Sequence, residues 1–156
     1  MIRIIAAIDN KRGLAKDGQI PWNLPKDVAR FRKLTQSYGA NVLMGRKTYE
    51  LMGSQLKKRT DYIVSSSQIE LPEGCTLVKD LDSFLENFNR DIWIIGGAEI
   101  YRSSLKYADE LYLTNIDADF NCDKFFPDYS DYKIKDIDGP YTENGLNFSY
   151  QLLMRF

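Results

Sequence analysis

Histidine is missing from all 156 residues, and cysteine occurs only at Cys75 and Cys122. The first absence removes Ser-His-Asp and Cys-His chemistry, and with it the commonest metal ligand. Any proton transfer must then use a carboxylate, Tyr, Lys, Cys or water. The two cysteines stand far apart with no metal-ligand spacing, so neither a disulfide framework nor a zinc site is expected. No run of 18 apolar residues occurs, and no membrane span is expected. The net charge is only −1, which gives no general attraction for nucleic acid or an anionic membrane. The N-terminus passes straight from Met1-Ile2-Arg3 into Ile4-Ile5-Ala6-Ala7-Ile8. It lacks the length and cleavage site of a signal peptide and reads as a strand, so a cytoplasmic protein is expected.

What is present is an ordinary globular composition, with 44% hydrophobic and 28% charged residues. The length suits one domain, residues 1–156, with a real core. Ile2–Ile8, Asn41–Met44, Tyr62–Val64, Cys75–Val78 and Ile92–Ile95 are short apolar runs of the kind buried on both faces of a sheet. Helical segments are expected at Pro25 to about Thr35, through Tyr49–Met52, at Asp82 to about Asn87, and at Ala98 to about Leu105. Asp9–Ile20 reads as a loop long enough to be functional. Glu110–Ile116 and Tyr132–Ile137 are further strands. Asn144-Gly145 is a turn, and alternation from Leu146 to Phe156 marks a long half-exposed strand. Strands alternating with helices imply right-handed crossovers in a mainly parallel sheet. The last two strands have no helix between them and should pair antiparallel. The fold class is therefore α/β, with a mixed sheet and flanking helices.

The most informative stretch is Pro21-Trp22-Asn23-Leu24-Pro25-Lys26-Asp27. Pro25 suits a first helical position, where its missing N–H has no partner to lose. Asp27 falls in the first turn, where the helix dipole favours an anion. A helix-start acid is the plain reading. However, Leu24, Asp27/Val28, Phe31 and Leu34 recur at helical intervals as an inward stripe. A carboxylate at or beside that stripe needs a partner or a raised pKa. If the protein supplies no fixed cation, a ligand with paired N–H donors would serve.

Three strand ends share a character. Met44 leads into Gly45-Arg46-Lys47-Thr48, Val64 into Ser65-Ser66, and Ile95 into Gly96-Gly97-Ala98. Glycine at a strand-to-helix junction lets a phosphate approach backbone N–H groups, and ligands of open α/β sheets bind beyond the carboxyl ends of strands. Each junction alone is adequately explained as a tight turn. Together, near an awkward carboxylate, they point to a nucleotide pocket. Two familiar phosphate motifs fail. Gly45-Arg46-Lys47-Thr48 has an Arg between Gly and Lys, and Gly39 stands one position too far upstream for a P-loop. Gly96-Gly97-Ala98 is not GxGxxG.

Over nearly its whole length the chain resembles the chromosomal-type dihydrofolate reductase family. The matching segments are Ile5-Ala6-Ala7, Pro21–Asp27, Met44–Thr48, Ser65-Ser66, Ile95–Tyr101, Tyr112-Leu113-Thr114 and Phe126-Pro127-Asp128. The resemblance implies an eight-stranded sheet, NADPH across the strand ends, and reduction of 7,8-dihydrofolate to tetrahydrofolate for one-carbon, thymidylate and purine synthesis. It implies catalytic roles for Asp27, Trp22 and Tyr101. Asp27 would accept from the pterin 2-amino group and N3–H, with Thr114 supporting that network and Trp22 holding a water. Ile5, Ala6, Ala7, Phe31, Met52, Leu56 and Ile95 would line the substrate side, and Arg59 would meet the carboxylate of the glutamate tail.

On the cofactor side the resemblance implies Gly96, Gly97 and Thr48 at the pyrophosphate and Tyr101 near the nicotinamide. Arg46 and Ser66 would meet the 2′-phosphate, with Lys47 and Lys79 adding charge. Ala7, Leu14, Ile20, Gly45, Ser65, Ile95, Ala98, Glu99 and Ile100 complete the expected cofactor contacts. A monomer without nucleic-acid, membrane or metal partners is expected, and an antifolate target. The alternatives are a related pteridine or pyrimidine reductase, and a folate- or nucleotide-binding module that does not turn over. Ala15 and Ile20 depart from the family's usual loop residues, Gly and Met. Glu99 stands where some members carry Arg.

Overall fold

The computed structural model describes residues 1–52 and 57–156. The chain runs β1 (Ile2–Ile8), β2 (Gly13–Ala15), α1 (Pro25–Thr35), β3 (Asn41–Gly45), α2 (Arg46–Met52), β4 (Thr60–Val64) and β5 (Cys75–Val78). It continues with α3 (Leu81–Asn87), β6 (Ile92–Ile94), α4 (Ala98–Ser104), β7 (Glu110–Ile116), β8 (Lys124–Phe125), β9 (Tyr132–Glu143) and β10 (Leu146–Arg155). Eight strands form one sheet in the order β5-β4-β3-β6-β1-β7-β10-β9, while β2 and β8 pair separately. All neighbours from β5 to β7 are parallel; β10 is antiparallel to β7 and to β9. The mixed, mainly parallel sheet with an antiparallel C-terminal strand is the architecture expected from the sequence.

The apolar runs lie where their composition demands. Ile4, Val42, Leu43, Met44, Ile63, Ile92, Trp93 and Ile94 have no exposed surface, so β1, β3, β4 and β6 are covered on both sides. One face packs on Leu85 and Tyr101 from α3 and α4. The other packs Ile5, Met44, Trp93 and Ile95 against Phe31 and Leu34 of α1. A third cluster joins Leu24, Ile116 and Phe148 to Trp22.

Several boundaries differ from the sequence reading, each for a local reason. The stretch Asp9–Ile20 contains β2, a short strand pairing with β8 rather than with the main sheet. Helix α3 begins at Leu81, one residue before the expected Asp82, because Asp80 caps it, its carboxylate accepting from Ser83 N at 3.1 Å. Strand β9 runs on to Glu143 because register breaks let it follow β10 past Gly139-Pro140. In α1 the inward stripe is carried by Leu24, Phe31 and Leu34, whereas Val28 is 45% exposed. Asp27, not Val28, faces inward at that turn.

The topology locates the cleft. From β1 the chain moves outward through β3, β4 and β5, then returns to insert β6 between β3 and β1, and passes to the other side with β7. The sheet therefore has a switch point beside β1 and β6. Such a crevice at the carboxyl ends of parallel strands is where ligands of open α/β sheets bind.

Candidate active site

A cleft of about 1250 Å³ opens at this switch point. Its walls come from the ends of β1 (Ile5, Ala6, Ala7), β3 and α2 (Gly45, Arg46, Lys47, Thr48), β4 (Val64, Ser65, Ser66) and β6 (Ile95, Gly96, Gly97). Leu14, Ile20 and Trp22 from the loop after β1 form one rim, and Asp27 and Phe31 of α1 another. Met52, Ala98, Glu99, Ile100, Tyr101 and Thr114 also line it. Most of the residues singled out in the sequence are thus brought together. Arg59 and Lys79 are not part of this lining. Lys79 is exposed after β5, and Arg59 is braced at the end of α1 by Thr35 Oγ1, Arg32 O and Lys57 O at 2.7–3.0 Å. Leu56 lies outside the described residues.

Asp27 is half-buried on α1 and meets the cleft. Thr114 reaches it because β7 pairs with β1 in a register that sets Thr114 beside Ala7. The Thr114 hydroxyl donates to Asp27 Oδ1 at 2.6 Å. Among the described residues this is the one hydrogen bond to the carboxylate, and no Lys or Arg forms an ion pair with it. Burial pushes the Asp27 pKa above the ordinary carboxylate value; the Thr114 bond and the Arg30 charge oppose this, and Glu143 adds to it. Arg30 itself stacks over the Tyr150 ring at 4.0 Å. The carboxylate therefore retains acceptor capacity toward the cleft that no described residue uses.

Tyr101 is buried, and its hydroxyl donates to Ile5 O at 2.7 Å. Burial raises the phenol pKa above its usual value, so it stays a neutral donor. A Cβ at Gly96 would lie 3.2 Å from this hydroxyl, and Gly96 has φ +119, so glycine is required there on both counts. Trp22 packs edge-on against Phe120 with ring centroids 5.3 Å apart, which anchors it at the rim.

The phosphate side is tested by its glycines and its charges. A Cβ at Gly45 would press within 3.1 Å of Ile100 Cγ1, and one at Gly97 would occupy the space beside Thr48 Oγ1 at an ordinary contact distance of 3.6 Å. Bare backbone is therefore what opens this part of the cleft between α2 and α4. Arg46 and Lys47 are exposed at its edge. Arg46 Nε pairs with Glu50 at 2.9 Å, leaving its terminal nitrogens available. Glu99 is paired with Arg102 at 2.8 Å, and both line the cleft, so the acid is offset within its own helix. These residues fit a phosphorylated dinucleotide.

Sequence reading missed part of the lining. Leu51 is 74% exposed one turn after Lys47, and its helical spacing from that residue was the available signal. Asp123, Lys124 and Phe125 join the cleft only because β8 pairs with β2. Two residues of strand give no periodicity that a sequence could reveal.

Fold and cleft together define an open α/β protein whose strand-end cleft fits a phosphorylated dinucleotide beside a half-buried carboxylate. Comparison with known proteins makes this specific. The family model for dihydrofolate reductase matches residues 1–155. The dihydrofolate reductase of Bacillus subtilis is 35% identical over 158 residues, covering 99% of this chain and 93% of that one. The Haemophilus influenzae enzyme is 44% identical over 127 residues, covering 80% and 77%. Among solved structures, Enterococcus faecalis dihydrofolate reductase complexed with NADP(H) and RAB-propyl superposes with a TM-score of 0.84. It is 27% identical and covers 99% of this chain and 96% of its own. The chain belongs to the dihydrofolate reductase family. It is an oxidoreductase whose reaction is the NADPH-dependent reduction of dihydrofolate.

Proposed function

We propose that Asp27 is the one ionisable side chain that meets the pterin, and that it binds the 2-amino group and N3–H as a bidentate acceptor. The observation that carries this is its position: a half-buried carboxylate on the cleft, with raised pKa and a single donor among the described residues. A pair of N–H donors from a flat heterocycle supplies what burial has taken away. NADPH, when bound, supplies the hydride from nicotinamide C4 to pterin C6. The chain's own task is to align the two rings, exclude water from the cleft and govern the proton at N5. With histidine absent, Asp27 polarises the pterin and water delivers the proton, held near the Trp22 N–H. Tyr101 serves by fixing the Ile5 carbonyl and by leaving space only for glycine at 96. Ile5, Ala6, Ala7, Phe31, Met52 and Ile95 form the apolar walls.

On the cofactor side we assign Thr48, Gly96 and Gly97 to the pyrophosphate, and Arg46 with Ser66 to the 2′-phosphate. Lys47 adds charge at the same edge. Leu14, Ile20, Gly45, Ser65, Ala98, Glu99 and Ile100 complete the contacts. Arg59 is assigned to the carboxylate of the glutamate tail, beyond the pterin end of the cleft. We read residues 1–156 as one domain, working as a cytoplasmic monomer without nucleic-acid partners. Lys133, Lys135, Asp136, Asp138 and Pro140 stud the exposed edge strand β9, which also carries two register breaks; all discourage edge-to-edge pairing. An antifolate bearing the same donor pair would compete for Asp27.

The test is the loss of NADPH near-ultraviolet absorbance when dihydrofolate is added. Turnover is expected. Binding of both ligands without turnover would leave a binding module instead.

A further inference from the structure

A second buried carboxylate stands at the end of β1, away from the reacting centre. Asp9 is only 2% exposed. Its two oxygens face different segments. Oδ1 accepts from Lys11 N at 2.9 Å and Gly13 N at 2.7 Å, at the base of the loop that leads into β2. Oδ2 accepts from Phe120 N at 3.1 Å and faces the Cys122 thiol at 3.5 Å, in the loop after β7. The packing there is tight. A Cβ at Gly13 would lie 2.6 Å from both Cβ and Sγ of Cys122 and 2.8 Å from Asp9 Oδ1.

Both segments continue into the same rim of the cleft, where β2 and β8 pair and Asp123 N donates to Ala15 O at 2.9 Å. Beyond Gly13 come Leu14, Ala15, Gly18, Gln19 and Ile20; beyond Cys122 come Asp123, Lys124 and Phe125. We propose that Asp9 is a positioning residue for the cofactor, holding the segment that leads into β2 through one oxygen and the segment that leads into β8 through the other, and so fixing the rim that the two strands build. Burial pushes the Asp9 pKa up, but the N–H donors of Phe120, Lys11 and Gly13 and the Cys122 thiol outweigh it, so the carboxyl stays below its ordinary value and ionised. Burial and the Asp9 charge push the Cys122 thiol up to about 11, so it remains a protonated donor to the carboxylate. Nothing in the reaction itself uses Asp9. Its effect passes through the geometry of the rim that β2 and β8 form, and the inference rests on the reading that NADPH lies against that rim.

Asp9→Asn separates the two halves of the clamp. The amide keeps an acceptor for Lys11 and Gly13 but turns an NH₂ toward the Phe120 N–H, which is itself a donor. Hydrogen exchange in the ligand-free protein should show the Phe120 amide losing protection by tenfold or more, roughly the value of a charge-assisted bond, while the Gly13 amide keeps it. The dissociation constant for NADPH, measured by fluorescence, should rise about tenfold, and that for folate by less than twofold. Wild-type NADPH affinity in Asp9→Asn would overturn the proposal. So would an equal loss for both ligands, which marks a general loosening. If the wild-type protein failed to bind NADPH at all, the assignment of the cleft would fall instead, and the exchange result would stand apart from it.

Discussion

Asp9 and Asp27 are both carboxylates taken out of water beside the same cleft, yet the protein treats them oppositely. Asp9, at the end of β1, receives three backbone N–H donors and a thiol, and its pKa falls below the ordinary value. Asp27, on α1, receives one hydroxyl, and its pKa rises. Arg3, also buried, is served in the manner of Asp9: it meets Asp91 at 2.8 Å and Glu110 at 3.0 Å. A buried charge costs free energy unless it is paired and hydrogen-bonded. At Asp9 that cost is met inside the chain, and the result is rigidity. At Asp27 it is met among the described residues by one hydroxyl only, and the proposal that the pterin meets the rest stands on that. The difference separates a clamp from a functional acid without reference to any relative.

The strongest break of this contrast is Asp27→Asn. Turnover at neutral pH should fall about a thousandfold, or roughly 4 kcal/mol of transition-state stabilisation, within the range for a group that governs proton transfer. Part of the rate should return at acid pH, where dihydrofolate arrives already protonated. The fold should not suffer. A carboxyl with a raised native pKa lowers stability as pH climbs through the window between its unfolded and native pKa, and the full penalty persists above it. Thermal unfolding of ligand-free Asp27→Asn at pH 7 should therefore occur no lower than wild type. A rate profile unchanged from pH 5 to 8 would remove Asp27 from the mechanism.

Asp9→Ala should do the reverse. It removes the acceptor for three amides at once, and leaving buried donors unpaired should cost roughly 3 kcal/mol. Here the native pKa is depressed, so the stabilisation is fully present above the unfolded pKa and lost as pH falls through the native one. Denaturant melts at pH 7 should show the full deficit of Asp9→Ala. The gap from wild type should narrow steadily below about pH 4, the ordinary carboxylate range. A gap independent of pH would mean that the carboxylate charge plays no part.

Asp27 was legible in the sequence because helical spacing put an acid on an apolar stripe. The three strand-end junctions were legible only together, since each one alone reads as a tight turn. The parallel sheet followed from alternating strands and helices. Asp9 was not legible. Its partners are backbone N–H groups more than a hundred residues away at Phe120 and only four away at Gly13, and backbone donors leave no trace in residue types. The register that sets Thr114 against Ala7 was equally hidden. So was the switch of Val28 from the expected stripe to the surface, since a single residue step, about 100° around the helix, decides whether residue 27 or 28 points inward. Motifs announce a ligand's contacts; the devices that hold those contacts still are made of main chain.

Thr114→Val sharpens the contrast by pushing Asp27 further from Asp9. It deletes the lone hydroxyl that lowers the Asp27 pKa and keeps nearly the same volume at a site only 2% exposed. The acid limb of the rate profile should move to higher pH, and kcat/KM at pH 7 should fall about tenfold, the value of one hydrogen bond to a charged group. A loss of rate without any movement of the profile would assign Thr114 to packing alone.

The smallest effect concerns a third carboxylate, Asp61, on β4 between β3 and β5. It is 7% exposed, outside the cleft lining, and its Oδ1 has no partner among the described residues. Burial raises its pKa, and the nearby charge of Arg59 offsets this only in part. Asp61 thus shares the exposure to cost of Asp27 without a cleft through which a ligand could answer it. Replacement by Asn removes the charge and keeps the shape. At pH 7 it should stabilise the ligand-free protein by about 1 kcal/mol, the lower end of the penalty for an unpaired buried polar group. The gain should shrink as pH falls through the raised native pKa, where wild-type Asp61 becomes neutral and the two proteins carry the same charge. A destabilised Asp61→Asn in a denaturant melt at pH 7 would show that the carboxylate is paired after all. The line between buried acids served by the chain and those left open would then fall at Asp27 alone.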